Sequence, residues 1–520
     1  MAAAFHHGTE TIRIDGGSSP VYTVDGAITA IVGTGMAGPV NEITVCQTAK
    51  DFAQFGTVTG AGFTLPDAAA VFTRYQSGIA YVVNVLDPTK HKTSVTGEAL
   101  VVDADTLSAK TQKPGLLKAT LKDGATTLQT PKDYTIDLQN GEIVFVAKSS
   151  NPSIDYEHLD PSKVTEADII GAYVAATGKR TGLQALQEGF NRFGADAKII
   201  ICPEYDKTAT CAAAMITAAE QLKAIAYISG PKGTTLGKAL EGRGSKGSIN
   251  FNTGSDRAQL FYPYVEGTLG LEPLATHAAG LRMKTDVEQG YWFSISNREL
   301  LGVVGAEVPL TARADDPQSE TNRLNERGIT TVFNSYGTGF RMWGNRLACF
   351  PAVSHIKNFE VAQRTGDLID ESIRRVELQY IDRPIDEALL DSLIGSSARN
   401  LAANTDNIFG VAMVDGVIHY DKDISRARVD SIVSLFPPHL RTCRLMKRPL
   451  EHIERVLRSR ELARYVDFTA NDAGGNPVTL SQVMKRSRYL LLDFWFADCV
   501  PCRSEMPHIR TAYEAYHDKG

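Results

Sequence analysis

The sequence predicts a mixed α/β (α+β) protein of several domains, in which a small β-rich domain is inserted into an α/β domain. Helical stretches alternate with short apolar strands, which is the pattern of a mostly parallel or mixed sheet with helices on its faces. The alternation stops over residues 87–168, where short strands are separated by turn-forming pairs, and it resumes afterwards. A chain of 520 residues has room for roughly three or four domains.

The composition excludes several classes of protein. Hydrophobic residues make up 43% and charged residues 22%, with a net charge of -6, so nothing indicates a nucleic-acid partner. The apolar runs stay below the ~18 residues that a membrane helix needs, which predicts no membrane insertion. The stretch Met1–His7 has no charged segment followed by an apolar one, so we expect no signal peptide.

Residues 1–26 are predicted to form an extended N-terminal arm. Its alternating residues are Thr9, Glu10, Thr11, Ile12, Arg13 and Ile14. A lone strand at a terminus is not stable by itself. The arm therefore needs a sheet to join, in this chain or in a neighbouring copy.

The α/β domain is discontinuous and covers residues 27–86 and 169–290. Ahead of the insertion, the pattern predicts strands at Ala27–Val32 and Ile79–Val85 and helices at Ala49–Phe55 and Leu65–Ser77. Beyond the insertion, we predict helices at Gly182–Phe193 and Thr208–Leu222 and strands at Lys198–Cys202, Ala224–Gly230 and Gln259–Tyr264.

A glycine-rich turn follows the first strand and matches the G-x-G-x-x-G pattern of dinucleotide-binding sites, with Gly33, Gly35 and Gly38. In such a site a helix begins within the glycines, and its N-terminus meets the pyrophosphate. Here Pro39 follows at once, and Asn41–Cys46 has the pattern of a further strand, which leaves no room for the helix. We therefore predict a plain glycine loop and no bound cofactor.

The insertion at 87–168 is predicted to be a small β-sandwich-like domain. Its candidate strands are Gly115–Leu121, Asp133–Leu138 and Glu142–Val146. The pairs Asp123-Gly124 and Asn140-Gly141 are turn signals, and Asn-Gly is a strong hairpin turn.

Three segments late in the chain, called the specific segments below, have distinctive residue patterns. They read Ser294-Ile-Ser-Asn-Arg-Glu-Leu-Leu-Gly302-Val-Val-Gly305, Glu320-Thr-Asn-Arg-Leu-Asn325-Glu-Arg-Gly328-Ile-Thr-Thr and Gly339-Phe-Arg-Met-Trp343-Gly-Asn-Arg346. With Arg364–Ile373, Asp382–Ile385 and the early pair His7-Gly8, they occur in the order found in contractile phage tail sheath proteins. The chain resembles this family over about residues 5–396, and the resemblance makes 291–396 a C-terminal sheath core domain.

The resemblance implies a structural subunit and not an enzyme. Sheath subunits stack as rings around an inner tube, hold one another through exchanged arms, and contract to drive the tube through the target envelope. The implied partners are further copies of the chain in a helical homo-oligomer, the inner tail tube protein, and the baseplate and tail terminator proteins. The implied location is the virion tail, after assembly in the host cytoplasm. The arm at 9–14 is then the segment that adds a strand to a neighbour.

Two smaller features have ordinary structural interpretations. Trp343 is expected in the core more than in a subunit contact, with Arg346 satisfying carbonyls or a carboxylate. Asp315 and Asp316 resemble a paired-carboxylate acid/base site, but we predict that they lie in a loop before the next helix. Ser319 or Asp316 is expected to cap the N-terminus of that helix.

The sheath pattern fails from about residue 397, which predicts weakened or absent polymerisation because the family's C-terminal arm is lost. We predict a helical, Arg-rich segment at 397–460. At 461–520 an apolar strand, Tyr489–Trp495, precedes Cys499-Val-Pro-Cys502 at the start of a helix. This arrangement resembles the thioredoxin-like thiol–disulfide oxidoreductases and predicts a partial segment of that fold. A genuine fusion and an artefactual junction of two genes both remain open.

Redox chemistry would need a thiolate at Cys499, favoured by the helix N-terminus, and Cys502 to resolve a mixed disulfide. Asp498 stands where the family usually has Trp, and its charge disfavours a neighbouring thiolate. The sequence stops one helix after the motif, without the family's remaining strands and cis-proline loop. We therefore expect no independent redox activity. A zinc site with His508 lacks a second pair of ligands.

The remaining cysteines are scattered singly and are expected to be buried free thiols: Cys46, Cys202, Cys211, Cys349 and Cys443. The sequence holds no G-x-S-x-G, no Walker loop and no H-E-x-x-H signature. No other catalytic constellation is predicted.

Overall fold

The computed structural model of the chain divides into two compact units, Met1–Gly410 and Val411–Gly520. The described residues are 27–76, 78–244, 247–334, 337, 339–378 and 381 in the first unit, and 451, 467–472, 474–485 and 500–516 in the second. The predicted arm at 9–14, the predicted helical segment at 397–460 apart from residue 451, Cys443 and Cys499 lie outside these ranges. Within them, no helix is both long and apolar enough to span a bilayer.

Residues 27–84 form the first part of the α/β domain. Its elements are β1 (Ile28–Gly33), β2 (Thr44–Cys46), α1 (Ala49–Phe52), α2 (Thr64–Phe72) and β3 (Ile79–Asn84). The strands and helices predicted here are confirmed, and 3-10 turns extend both helices to residues 55 and 75. Thr48 is the N-cap residue of helix α1, and its side chain and that of Asp51 form a reciprocal capping box.

The insertion is a sandwich of two small antiparallel sheets. Its strands are β4 (Lys92–Ala99), β5 (Ser108–Lys110), β6 (Leu116–Asp123), β7 (Thr126–Thr127), β8 (Tyr134–Asp137), β9 (Glu142–Phe145) and β10 (Pro152–Leu159). One sheet has the order β4-β10-β6-β7 and the other β5-β9-β8. Leu121 and Ile154 from the first sheet and Ile143 from the second are fully buried in one apolar cluster. Gly124 and Gly141 take the positive φ that the predicted turns require.

The chain then returns to the α/β domain and continues into the predicted sheath core domain, which starts at residue 291. The elements are α3 (Glu166–Ile170), β11 (Tyr173–Val174), β12 (Lys179–Arg180), α4 (Gly189–Phe193), β13 (Ile199–Ile201), α5 (Ala209–Leu222), β14 (Ile225–Ser229), α6 (Leu236–Glu241), β15 (Ala258–Phe261), β16 (Val265–Gly267), β17 (Gly270–Glu272), α7 (Leu274–Gln289), β18 (Gly305–Ala306), α8 (Glu320–Glu326), β19 (Ile329–Phe333), β20 (Arg341–Trp343) and α9 (Glu360–Glu377).

Two predicted elements differ from the structure. The predicted helix at 182–193 starts as a 3-10 helix, because Gly182 has a φ of 54°, outside the right-handed helical region. It becomes α-helical only at Gly189. The predicted strand at 259–264 ends at Phe261, since Pro263 has no N–H to continue a ladder. The chain resumes at Val265 in a separate three-stranded sheet of order β17-β16-β18.

The main sheet has eight strands in the described part, in the order β2-β3-β1-β13-β14-β15-β19-β20. The six inner strands are parallel, and the edge strands β2 and β20 are antiparallel to their neighbours. Two large apolar clusters cover its strands. The predicted mostly parallel sheet with packed helices is therefore confirmed. Later strands add on opposite sides of β1, so the carboxyl ends of β1 and β13 meet where α/β sheets usually bind ligands.

The described part of the second unit is small. β21 (Thr469–Asn471) pairs antiparallel with β22 (Pro477–Thr479), followed by α10 (Leu480–Met484) and α11 (Val500–Tyr516). Helix α11 starts directly after Cys499 and contains Cys502. This confirms that the cysteine motif opens a helix.

Four of the predicted buried thiols are confirmed: Cys46, Cys202, Cys211 and Cys349 are free and buried. Burial raises the pKa of Cys46 to about 12, and Asp51 adds to the shift. The pKa of Cys211 rises to about 12 for the same main reason. These thiols therefore stay protonated and inert near neutral pH.

Candidate functional site

The glycine loop at the switch point of the sheet is closed by the chain's own side chains. The N–H of Gly35 donates to Oδ1 of Asn84 at 2.8 Å. The N–H of Thr34 donates to Oγ1 of Thr64 at 3.0 Å. Amides that would hold a pyrophosphate in a dinucleotide site are thus already engaged. The loop followed by β2 instead of a helix has a structural role, as predicted.

A cleft of about 790 Å³ lies between the insertion and the α/β domain. Its lining includes Asp67, Glu204, Lys113 and Lys207, so charges of both signs line it. Such a lining presents no single-sign field that would select a charged ligand.

The segment 294–298 lines the edge strand β20. The N–H of Asn297 donates to the carbonyl of Met342 at 2.7 Å, and the N–H of Met342 donates to the carbonyl of Arg298 at 2.9 Å. The first specific segment is therefore hydrogen-bonded to β20 in the third, and it covers a sheet edge that would otherwise be open.

The same segment continues over Arg74 and Tyr75. Gly302 has a φ of 73°, and a Cβ at this position would lie 3.1 Å from Nη1 of Arg74. The N–H of Leu301 donates to the Tyr75 hydroxyl at 3.3 Å. The Leu-Leu-Gly sequence is thus explained by the close approach of backbone to these two side chains.

Behind Leu301 lies a buried chain of polar groups. The Tyr75 hydroxyl is 3.0 Å from Nδ1 of His277, and Nε2 of His277 is 2.7 Å from Oε2 of Glu272. Arg74 makes two hydrogen bonds to the same carboxylate, at 2.8 and 2.9 Å. Tyr75, His277 and Glu272 are at most 2% exposed. Tyr75, His277 and Glu272 follow one another as the groups of a catalytic relay do. The Tyr75 hydroxyl at the far end, however, accepts the backbone N–H of Leu301.

The electrostatics of this chain of groups agree with a structural role. Burial by itself would raise the pKa of Glu272, but hydrogen bonds from His277 and Arg74 outweigh it and lower the pKa to about 2. Burial lowers the pKa of His277, although Glu272 opposes the shift. A neutral imidazole then donates from Nε2 to Glu272 and accepts the Tyr75 hydroxyl at Nδ1.

Arg243 joins the second specific segment to the loop that follows the third. Nε of Arg243 donates to the carbonyl of Arg327 at 2.8 Å. Its two Nη atoms donate to the carbonyls of Phe251, Thr253, Ala348 and Phe350. One guanidinium therefore satisfies five carbonyls from three loops. Burial lowers the pKa of Arg243.

Trp343 is half-buried and stacks on Phe333 of the neighbouring strand, with ring centroids 4.2 Å apart. Arg346 agrees with the prediction in part. It donates to the amide carbonyl Oδ1 of Asn358, and its guanidinium also lies 3.7 Å from the ring centroid of Phe359 and 4.5 Å from that of Phe350. One carbonyl and two aromatic faces therefore hold this cation.

Helix α9, which contains the family segment Arg364–Ile373, is docked by buried charges. Arg364 and Arg282 both pair with Asp286, and Oε1 of Glu360 accepts from the Tyr227 hydroxyl at 3.0 Å. These charged side chains are at most 2% exposed. Nearer the end of the helix, the ion pairs Arg257–Asp367 and Lys198–Glu371 continue the seam. A buried seam of this kind fixes one docking position for the helix.

The paired aspartates lie in a loop, as predicted. Asp315 pairs with Arg313 at 2.9 Å, and this hydrogen bond lowers the pKa of Asp315. Oδ1 of Asp316 accepts the N–H of Gln318 within the loop. Ser319 is the N-cap residue of α8, but its side chain makes no capping bond, so the predicted cap is wrong in its chemistry.

The structure brings the specific segments together around β19 and β20, whereas the arm at 9–14 and Cys499 lie outside the described residues. Sequence reasoning missed the polar chain at His277 and the carbonyl-binding Arg243. The signal for Arg243 was its place between Gly242 and Gly244, which allow close backbone approach. No local signal joins Tyr75 to His277, because they stand 202 positions apart in the sequence.

Comparison with known proteins gives two family matches. The model of the phage tail sheath protein central domain matches residues 178–346, and that of the AhpC/TSA family matches residues 463–520. The first match contains all three specific segments. The second covers the cysteine motif and supports the partial thioredoxin-like segment.

Two relatives in sequence agree with the first match. The tail sheath protein of Burkholderia phage BcepMu is 47% identical over 410 residues, which cover 76% of this chain and 86% of that protein. A putative prophage major tail sheath protein of Pseudomonas aeruginosa is 31% identical over 239 residues, covering 45% and 58%. A sheath tail protein structure from Desulfitobacterium hafniense aligns with a TM-score of 0.44 at 11% identity, covering 75% and 89%. The identity to the first of these relatives, and the share of that protein covered, show that the chain belongs to the phage tail sheath protein family.

Proposed function

We propose that the chain is a structural subunit of a contractile tail sheath, which polymerises helically around an inner tail tube and shortens to drive the tube through a target envelope. The observation that carries the proposal is the 47% identity to a tail sheath protein over 410 residues. The geometry of the first unit agrees with a structural role, because the specific segments hold one another instead of lining a reaction centre.

Self-association is proposed to use the arm at 9–14. In the proposed strand, the alternation of the sequence would put Ile12 and Ile14 on one face and Thr9 and Thr11 on the other. Strand addition relies on backbone hydrogen bonds, so it would persist while globular domains slide past one another. A heterologous contact that does not close would build a helix.

The further partners proposed are the inner tail tube protein, the baseplate and the tail terminator, in a virion tail assembled in the host cytoplasm. The test is immunogold electron microscopy of particles from the source of the sequence, with an antibody raised against the purified chain. We expect label along the shaft of contractile tails. Tails that bind the antibody nowhere would overturn the proposal.

The arm is tested by sedimentation of the purified full chain at high concentration. Ile12→Asp combined with Ile14→Asp should reduce any self-association, because charges on the apolar face oppose docking against a sheet. Thr9→Asp combined with Thr11→Asp adds the same charge on the opposite face and should leave it unchanged. Equal losses in both variants would contradict the assignment of the apolar face. Long regular tubes of the unaltered chain would contradict the expected weakening of polymerisation.

The carboxyl-terminal segment is proposed to have no independent thiol–disulfide oxidoreductase activity. The charge of Asp498 beside Cys499 supports this, because it disfavours the thiolate that the chemistry needs. In an insulin-reduction assay the full chain and its Cys499→Ser variant should turn over equally. A turnover that depends on Cys499 would make the chain a bifunctional fusion.

A further inference from the structure

The turn after β13 is tied to the end of β14 by a buried acid. Asp206 is 2% exposed, and its Oδ2 accepts the N–H of Ser229 at 2.7 Å. Its own N–H donates to the carbonyl of Cys202 at 2.9 Å. Asp206 therefore joins two neighbouring strand ends at the carboxyl edge of the main sheet.

Asn250 completes this junction from a third segment. It is 4% exposed, and its Nδ2 donates to the carbonyls of Asp206 at 2.6 Å and Ser229 at 2.7 Å. Two carbonyl partners fix which end of the amide is the nitrogen, so the other end is an acceptor. In the described part of the chain, Oδ1 of Asn250 and Oδ1 of Asp206 both lack a hydrogen-bond partner.

Two buried acceptors without donors, on residues already hydrogen-bonded to each other, indicate a missing proton. An ionised Asp206 accepts only, so it leaves both oxygens unsatisfied, at a cost to the folded state. A protonated Asp206 supplies one donor that satisfies both oxygens at once. We propose that Asp206 is a buried proton-binding site, whose Oδ1 hydroxyl donates to Oδ1 of Asn250 and so clasps β13, β14 and the loop at residue 250.

The surroundings of Asp206, including the charged and titratable groups that face it, favour its protonated form overall. They are Glu204 and Lys207 on its own loop, Tyr264 after β15, Cys202 at the end of β13 and Cys211 on α5. Burial is the main cause that raises the pKa of Asp206, to about 8; Glu204 adds to the shift, whereas the Ser229 N–H and Lys207 oppose it. The clasp is therefore closed near neutral pH and opens in alkaline solution.

The way the stability of the clasp changes with pH follows from proton linkage. The folded chain keeps a proton that the unfolded chain releases near 3.8, so the clasp loses stability as the pH rises from that value through about 8. Asp206→Asn is the matched variant, since its amide keeps an acceptor for Ser229 and a permanent donor for Asn250.

The test compares the full chain with its Asp206→Asn variant by hydrogen exchange and mass spectrometry. Peptides that contain residues 203–207 and 227–231 should exchange alike in the two proteins at about pH 6 and at least about tenfold faster in the unaltered chain at about pH 9. Because each comparison is made at one pH, the intrinsic exchange rates cancel. Equal exchange at both values would overturn the proposal.

A second measurement keeps the proposal testable if the variant is poorly folded. The infrared spectrum of the unaltered chain near neutral pH should contain a protonated-carboxyl band that disappears in alkaline solution. Absence of such a band would overturn the proposal. So would exchange of these peptides that slows on adding sodium, magnesium or calcium, because a cation would then occupy the two oxygens.

Discussion

The α/β domain and the inserted β-sandwich place their charges in opposite ways. Around α9, Arg282, Asp286, Glu360 and Arg364 are paired in the interior and at most 2% exposed. In the insertion, the ion pair of Lys122 and Asp155 lies at the surface, with 41% and 31% of the two side chains exposed.

The difference separates two ways of fixing a structure. Buried ion pairs are costly to desolvate, and they specify one docking geometry for a helix because any shift leaves charges unpaired. The sandwich instead relies on apolar burial, which tolerates small shifts more readily. Substitutions in the two regions should therefore differ in size and in their response to pH.

The largest effect is expected from Arg364→Met, which keeps the apolar stem but leaves Asp286 and Glu360 buried without this cation. The expected loss is about 3–5 kcal/mol in the free energy of unfolding, measured by urea denaturation followed by tryptophan fluorescence. Arg375→Met, on the more exposed end of the same helix, is the control and should cost less than about 1 kcal/mol. Similar losses in both variants would remove the contrast between buried and exposed pairs.

Within the sandwich, Ile143→Ala should be the damaging change. Ile143 is fully buried between the two sheets, so the substitution creates a cavity and costs roughly 3 kcal/mol. Limited proteolysis should show faster cleavage within residues 92–159 and unchanged cleavage of the α/β domain. Val144→Ala, at an exposed position of the same strand, is the control. Cleavage that rises in both domains would show that their cores are coupled.

The stability of the α/β domain should also depend on pH, through the buried carboxylate of Glu272. Glu272 has its pKa lowered to about 2 in the folded chain, against 4.5 for the free group. Its contribution is therefore fully present above about pH 4.5 and is lost as the pH falls towards 2. Glu272→Gln should cost roughly 2 kcal/mol at neutral pH and much less at about pH 2.5. A cost that stays constant with pH would show that the ionised carboxylate is not the source.

The smallest effect is expected from Lys122→Ala in the sandwich. Its ion pair with Asp155 is short, at 2.7 Å, but both side chains are partly solvated. The loss should be below about 1 kcal/mol and should shrink in high salt. A larger loss that is insensitive to salt would indicate that the apolar stem of Lys122 packs on the sheet.

The sequence predicted those elements whose signal is local. Strands such as Ile79–Asn84 follow from an apolar run, and the turns at Gly124 and Gly141 follow from residues that accept positive φ. Prediction failed at Gln259–Tyr264, where the apolar run continues but Pro263 ends the ladder.

The buried polar groups were beyond sequence reasoning because their partners are distant. The specific segments pointed to the right part of the chain, yet Arg243 and Arg327, which are in contact, stand 84 positions apart in the sequence. Nothing in the local pattern tells a buried Arg282 from a solvated one, since both suit a helix. Family resemblance located these segments, and their packing explains why the glycines and aromatic residues are needed.

The insertion enters and leaves the α/β domain at one place, because Lys92 on β4 lies opposite Leu159 on β10. A domain attached through two adjacent strand ends adds its own core and leaves the host sheet undisturbed. Evolution can therefore exchange this decoration for another of different size or chemistry, and an engineer can graft a foreign module at the same junction, without redesigning the scaffold that carries it.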